Sequence, residues 1–214
     1  MVMKIVKIKA LCLALSPILF VGYSSVAMAA NTLYGTGAGA NFTTGDDNTA
    51  IGVNAMNQST SAHKNTAIGA DALQYNTSGG ENVAVGHQSL YSNTTGYSNV
   101  AVGRGSLQFN TSGNLSTAIG TEALRSNTTG VRNTSVGYKS LYSNTTGYEN
   151  VAMGNSALEA NTTGRHNNAI GFNALYSNTT GVSNAASGFQ ALYSNTTGSK
   201  NTAMGDGALY TNTT

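Results

Sequence analysis

"NTAIGADALQYNTSGGE", residues 65–81, is followed by "NVAVGHQSLYSNTTGYS" at 82–98 and "NVAVGRGSLQFNTSGNL" at 99–115. The interval is seventeen residues each time. With Asn31 as column 1 of the repeat, column 1 recurs at 48, 65, 82, 99, 116, 133, 150, 167, 184 and 201, as Asn everywhere except Ser116. No insertion or deletion breaks the spacing, so residues 31–214 are ten complete repeats and fourteen residues of an eleventh. Such periodicity marks a solenoid, in which each unit packs only on its neighbours.

The columns indicate which kind. Column 5 is Gly in all eleven copies, from Gly35 to Gly205. Column 4 is mostly Ile, Val or Met, as in Ile68, Val85, Ile119 and Met153, and column 9 is Leu in nine copies, from Leu73 to Leu209. Columns 3 and 8 are nearly always Ala or Ser, and columns 12 to 15 mostly read Asn-Thr-Thr-Gly or Asn-Thr-Ser-Gly. Seventeen residues are too few for a helical hairpin with its turn, and two Gly and two Asn per unit disfavour helix. Short alternating apolar runs between Gly and Asn turns read as strands. Each repeat is expected to hold two, such as Thr66-Ala67-Ile68 and Ala72-Leu73-Gln74.

The expected fold is therefore all-β: a parallel β-solenoid, or β-roll, of eleven 17-residue coils. Coils would stack about 4.8 Å apart, so eleven make a rod of roughly 50 Å. Identical columns lie one above another, giving Asn and Thr ladders, with Ile over Ile and Leu over Leu filling the interior. Strand alternation then turns the Ala of column 3 outward. With only two large apolar side chains per coil the core is thin, and the outward Ala stripe (Ala67, Ala84, Ala101, Ala118) is the expected oligomer contact.

The first residues read differently. Lys4, Lys7 and Lys9 precede the apolar stretch 10–21, and Ala27-Met28-Ala29 is a small-x-small cleavage pattern. Residues 1–29 are thus expected to be a secretory signal peptide, leaving 30–214 as the repeat domain, secreted or on the bacterial cell surface. Of ten Lys and Arg, three lie in this leader and none of the eight Asp and Glu does, so the remainder carries a net charge of −1. That balance excludes a basic nucleic-acid surface and gives no reason to expect membrane insertion of the mature chain. Cys12, the single cysteine, also lies in the leader, so no disulfide staples the coils.

No catalytic pattern stands out. His63, His87 and His166 share no column, and the pair Asp46-Asp47 does not recur, so neither a metal site nor any other cofactor is expected. Ser and Thr are abundant but none has a fixed His and Asp partner, so no enzymatic activity is expected. Nine copies carry Asn-x-Thr/Ser at column 12, from Asn76 to Asn212; these are formal glycosylation sequons that a turn motif also explains. Tyr91, Tyr142, Tyr176, Tyr193 and Tyr210 share column 10, either as a cross-coil stack or as an exposed surface-binding stripe.

"NTAIG", "STAIG", "NVAVG", "NTSVG" and "NVAMG" resemble the head repeats of YadA-like trimeric autotransporter adhesins. The resemblance covers columns 1 to 5 throughout. It implies left-handed parallel β-rolls bundled as trimers that bind host matrix or one another. The repeat here is longer than the usual head repeat, extended by the Asn-Thr-Thr-Gly turn, and the family's coiled-coil stalk and anchor strands are not within these 214 residues. Similar repeats occur in phage tail fibres.

These readings converge on a non-enzymatic structural and adhesive protein. Its partners would be copies of itself, as a homotrimer or an end-to-end filament, and host matrix or another cell surface. An ice-binding solenoid is the alternative that the adjacent Thr of columns 13 and 14 raise, although adjacent residues of a strand point to opposite faces.

Overall fold

The computed structural model describes residues 31–214, and the expected signal peptide lies outside the described residues. Each coil contributes one strand of three residues, columns 2 to 4, from β1 (Thr32–Tyr34) to β11 (Thr202–Met204). The eleven strands form one parallel sheet in sequence order. Register is the repeat itself, as in Thr66↔Val83, Ala67↔Ala84 and Ile68↔Val85. The all-β parallel solenoid of 17-residue coils is therefore the fold.

The second strand of each coil does not form. Ala72-Leu73-Gln74 lies in a run of turns, and Leu73 has φ +50°. Columns 7, 9 and 17 repeat this left-handed conformation along the rod, as in Lys139 (φ +52°), Leu141 (+50°) and Glu149 (+54°). For a branched residue such as Leu this region is strained, by about 1–2 kcal/mol. Pairing between coils holds it in place: Leu73 N–H donates to the Ser89 carbonyl at 3.0 Å and Tyr75 N–H to the Tyr91 carbonyl at 3.1 Å. Backbone pairing thus continues well beyond the short strands.

Column 5 can be only Gly. At Gly137 φ is +134°, and a Cβ there would lie 2.7 Å from the carbonyl carbon of Gly154 in the next coil. The chain turns sharply here while its neighbour sits directly above.

The interior has a different composition from the one expected. Ala67, Ala84, Ala101 and Ala118 are fully buried, whereas Ile68 is 39% and Ile119 42% exposed. The strand therefore faces the opposite way: column 3 points in and column 4 points out. The reason is width. A coil closed by one short strand leaves a narrow lumen, and the Leu of column 9 fills it from the opposite wall, as the buried row Leu107, Leu124, Leu141 and Leu158 shows. Only a methyl, or at Ser135 a hydroxymethyl, fits between that row and the sheet. The proposed Ala oligomer stripe is thus core, unavailable to another chain.

Two ladders of buried Asn complete the interior. In column 1, Asn82 donates from Nδ2 to Asn65 Oδ1 (3.1 Å) and to the Gly96 carbonyl (2.9 Å), while its own N–H donates to the same Oδ1 (2.9 Å). In column 12, Asn144 donates from Nδ2 to Asn127 Oδ1 (2.9 Å) and to the Gly147 carbonyl (3.0 Å). Each such bond contributes about 0.5–1.5 kcal/mol net, and one left unmade in the interior costs more. Coil two departs at both ends of the second motif together: Ser59 replaces the Asn and Ala62 the Gly. The shorter side chain removes one obstacle that a Cβ meets at the equivalent Gly79, the Asn76 Oδ1, and Ser59 Oγ is left without a partner.

Candidate functional surfaces

Closing the coil in this way sorts the columns onto distinct surfaces. The outer face of the sheet carries columns 2 and 4 only. Column 2 is Thr or Val in nine copies, with Asn168 and Ala185 as exceptions; column 4 runs Tyr34, Ile51, Ile68, Val85, Val102, Ile119, Val136, Met153, Ile170, Ser187, Met204. No charged residue occurs in either column. The charges sit in columns 6, 7, 10, 16 and 17, where they pair locally, as in Arg104–Glu122 (2.9 Å), Arg132–Glu149 (3.1 Å) and His166–Glu149 (3.0 Å). The sheet face is consequently an uncharged strip along the whole rod, apolar in column 4 except at Ser187 and mixed Thr and Val in column 2. Ala185 and Ser187 interrupt its relief with a dimple beside Ile170 and Met204.

The Tyr residues of column 10 do not form one continuous stripe. Tyr176, Tyr193 and Tyr210 stack face to face at 5.2 and 5.0 Å, with ring planes 4° and 5° apart. Gln108, Arg125 and Glu159 stand in the same column and break the row lower down. There Tyr142 accepts a hydrogen bond from Arg125 at its hydroxyl (2.8 Å), and Tyr91 meets Tyr75 edge to face at 5.0 Å. The Glu159 charge, followed by burial, holds the Tyr176 phenol above its ordinary pKa. Stacking rings turn their faces to each other and leave edges and hydroxyls outward. Phe172 and Phe189 in column 6 stack likewise at 5.3 Å.

The Thr rows differ from one another. Column 13 hydroxyls donate to the column 13 carbonyl of the next coil, as from Thr77 to Thr94 (3.0 Å) and from Thr145 to Thr162 (3.1 Å). Column 14 alone stays free and exposed, as at Thr146 and Thr163. A paired Thr array of the kind the ice-binding reading needs is therefore not presented at columns 13 and 14. The nine Asn sequons of column 12 belong to the internal ladder; Asn144 and Asn161 are fully buried, with both amide hydrogens engaged or enclosed.

Asp46 and Asp47 occupy a turn in which the Asp46 carbonyl accepts from Asn48 Nδ2 (2.9 Å) and from Lys64 N–H (3.0 Å). The three His are far apart in columns 16, 6 and 17, with His87 4.0 Å from Asp71 and His166 beside Glu149. Among the described residues no three His, Cys, Asp or Glu come together as metal ligands would. No helix among them is long and apolar enough to cross a membrane.

No family model matches this chain, and no curated protein or solved structure matches it either.

Proposed function

We propose that this chain is a non-enzymatic, exported structural and adhesive repeat protein, and that it associates with copies of itself through the sheet face of columns 2 and 4. The observation that carries the reading is the strip itself: eleven strands wide, apolar along column 4 and free of charge. Isolated exposed apolar side chains are ordinary, but a contiguous strip marks an interaction surface. Eleven coils at about 4.8 Å by roughly 10 Å of width present about 500 Å² per copy. Two such faces approach the roughly 1,000 Å² at which specific association begins. The resemblance to YadA-like heads supports a three-fold arrangement of such strips, and the leader pattern supports export. Association through a side face leaves columns 6–7, 10–11 and 16–17 outward, where sequence varies from coil to coil and an adhesive surface belongs.

Light scattering coupled to size exclusion tests the reading. The chain should elute as a closed oligomer of fixed mass. Ile68→Lys, Ile119→Lys and Ile170→Lys combined should give a folded monomer, since all three side chains already point outward. A wild-type monomer, or an oligomer indifferent to the three lysines, overturns it. Mass that grows with concentration would indicate end-to-end stacking instead.

A further inference from the structure

Column 16 carries a side chain in every complete coil but one. It reads Asp46, His63, Gly80, Tyr97, Asn114, Val131, Tyr148, Arg165, Val182, Ser199. Gly80 therefore leaves a rung missing between His63 in the coil below and Tyr97 in the coil above. The gap is a notch of about 270 Å³ lined by His63, Ser78, Gly80, Glu81, Thr95 and Tyr97. Gly80 is its floor, and the His63 imidazole lies across that floor, with Nε2 2.7 Å from where a Gly80 Cβ would stand. Tyr97 is 48% exposed and forms a wall. Ser78 and Thr95 present column 14 hydroxyls from one side. Glu81 presents its carboxylate from the other, with Oε2 accepting from Ser98 Oγ at 3.1 Å and the second oxygen unpaired among the described residues.

We propose that this notch is a binding site for a single neutral hexopyranose, such as a terminal sugar of a surface glycan. The chemistry of the walls points to that class. A pyranose has an apolar C–H face and a rim of hydroxyls that both donate and accept. Tyr97 offers a ring face for the first. For the second, the carboxylate accepts, the Ser78 and Thr95 hydroxyls do either, and His63 contributes a ring nitrogen. The volume lies below the roughly 300–1,000 Å³ of clefts that hold drug-sized ligands, which suits one ring rather than a nucleotide or peptide. An anionic sugar would meet Glu81 unfavourably. Away from the notch the same column is filled by side chains, so among the described residues the site occurs once, in the third coil. It lies on columns 14–17, off the sheet face, and stands whether or not the chain self-associates.

Amide chemical-shift mapping on the full chain tests the proposal, with methyl β-glucoside, methyl β-galactoside and N-acetylglucosamine as probes. At least one should shift the amides of Gly80, Thr95 and Tyr97 with a Kd on the order of millimolar, as expected for one small polar ligand in an open notch. Gly80→Tyr supplies the missing ring, and the atoms nearest its Cβ belong to the movable His63 side chain; it should weaken binding tenfold or more. Tyr97→Ala should do the same, and it decides the matter if Gly80→Tyr does not fold. Tyr142→Ala, in column 10, should leave binding unchanged. No shift from any probe up to about fifty times the expected Kd, or binding that survives both Gly80→Tyr and Tyr97→Ala, overturns the proposal.

Discussion

The Asn ladders are most sharply tested at coil six, where column 1 is Ser116. In coils three to five and seven to ten the column 15 carbonyl accepts twice: Gly147 from Asn133 Nδ2 (2.8 Å) and Asn144 Nδ2 (3.0 Å), Gly164 from Asn150 Nδ2 (2.9 Å) and Asn161 Nδ2 (3.1 Å). Ser116 is too short to reach, so the Gly130 carbonyl depends on Asn127 Nδ2 alone (3.0 Å). Asn127→Ala would leave two buried acceptors without a donor, the Gly130 carbonyl and Asn110 Oδ1, which now takes Asn127 Nδ2 at 2.8 Å. At about 1–3 kcal/mol per orphaned group, the cost is about 4 kcal/mol. Asn161→Ala strands only Asn144 Oδ1, because Gly164 keeps its second donor, and should cost about half as much. For a chain of this size the first variant should melt about 10 °C lower than wild type and the second about 5 °C lower. Ser116→Asn restores the missing donor; it should stabilise the parent by about 1 kcal/mol and recover part of the loss in Asn127→Ala. Urea unfolding followed by circular dichroism measures all four variants, with unchanged slopes required for the comparison. Equal losses for Asn127→Ala and Asn161→Ala, or no gain from Ser116→Asn, would refute the account of the core as a hydrogen-bonded ladder.

Two further outcomes follow from the same interior. Leu141→Asp places a charge between Leu124 and Leu158 and should cost about 3–5 kcal/mol, whereas Tyr138→Asp, on the exposed column 6, should stay within about 1 kcal/mol by thermal melting. Gly137→Ala adds a methyl against the Gly154 carbonyl at a φ of +134° and should destabilise by more than the 1–3 kcal/mol of backbone strain alone, read as a drop in the urea midpoint.

Much of this was legible in the sequence. The period set the coil length, the invariant Gly of column 5 marked the turn, and Leu73 through Leu192 were correctly placed inside. The Asn columns were correctly read as ladders, although their burial inside the coil was not foreseen. Two errors share one cause, the use of hydrophobicity to assign direction. Ile68 is more apolar than Ala67, so it was expected inside; the narrow lumen opposite Leu73 admits only the methyl. A signal was present in the copies themselves. Column 3 is Ala or Ser in ten of eleven coils, while column 4 accepts Tyr, Ile, Val, Met and Ser. A column that tolerates such different volumes faces solvent, and one that never grows is enclosed. Ala72-Leu73-Gln74 passed for a strand because alternation also fits a run of left- and right-handed turns, and Leu at positive φ is rare enough that no propensity suggests it. The Gly80 notch was missed because the repeat draws attention to what recurs, and the notch is a place where one column fails to.

Thiol accessibility along one strand tests the central claim, that column 3 is enclosed and column 4 forms the surface through which copies meet. In a Cys12→Ser background, which removes the single native thiol, Ala118→Cys and Ile119→Cys place the probe on neighbouring residues of one strand, Thr117–Ile119. The thiol of Ile119→Cys should react with a maleimide freely in dilute solution and more slowly as concentration drives association. That of Ala118→Cys should stay unreactive until the chain is unfolded in urea. Rapid labelling at 118 with protection at 119 would contradict the inward and outward assignment. A rate at 119 independent of concentration would contradict the sheet face as the contact.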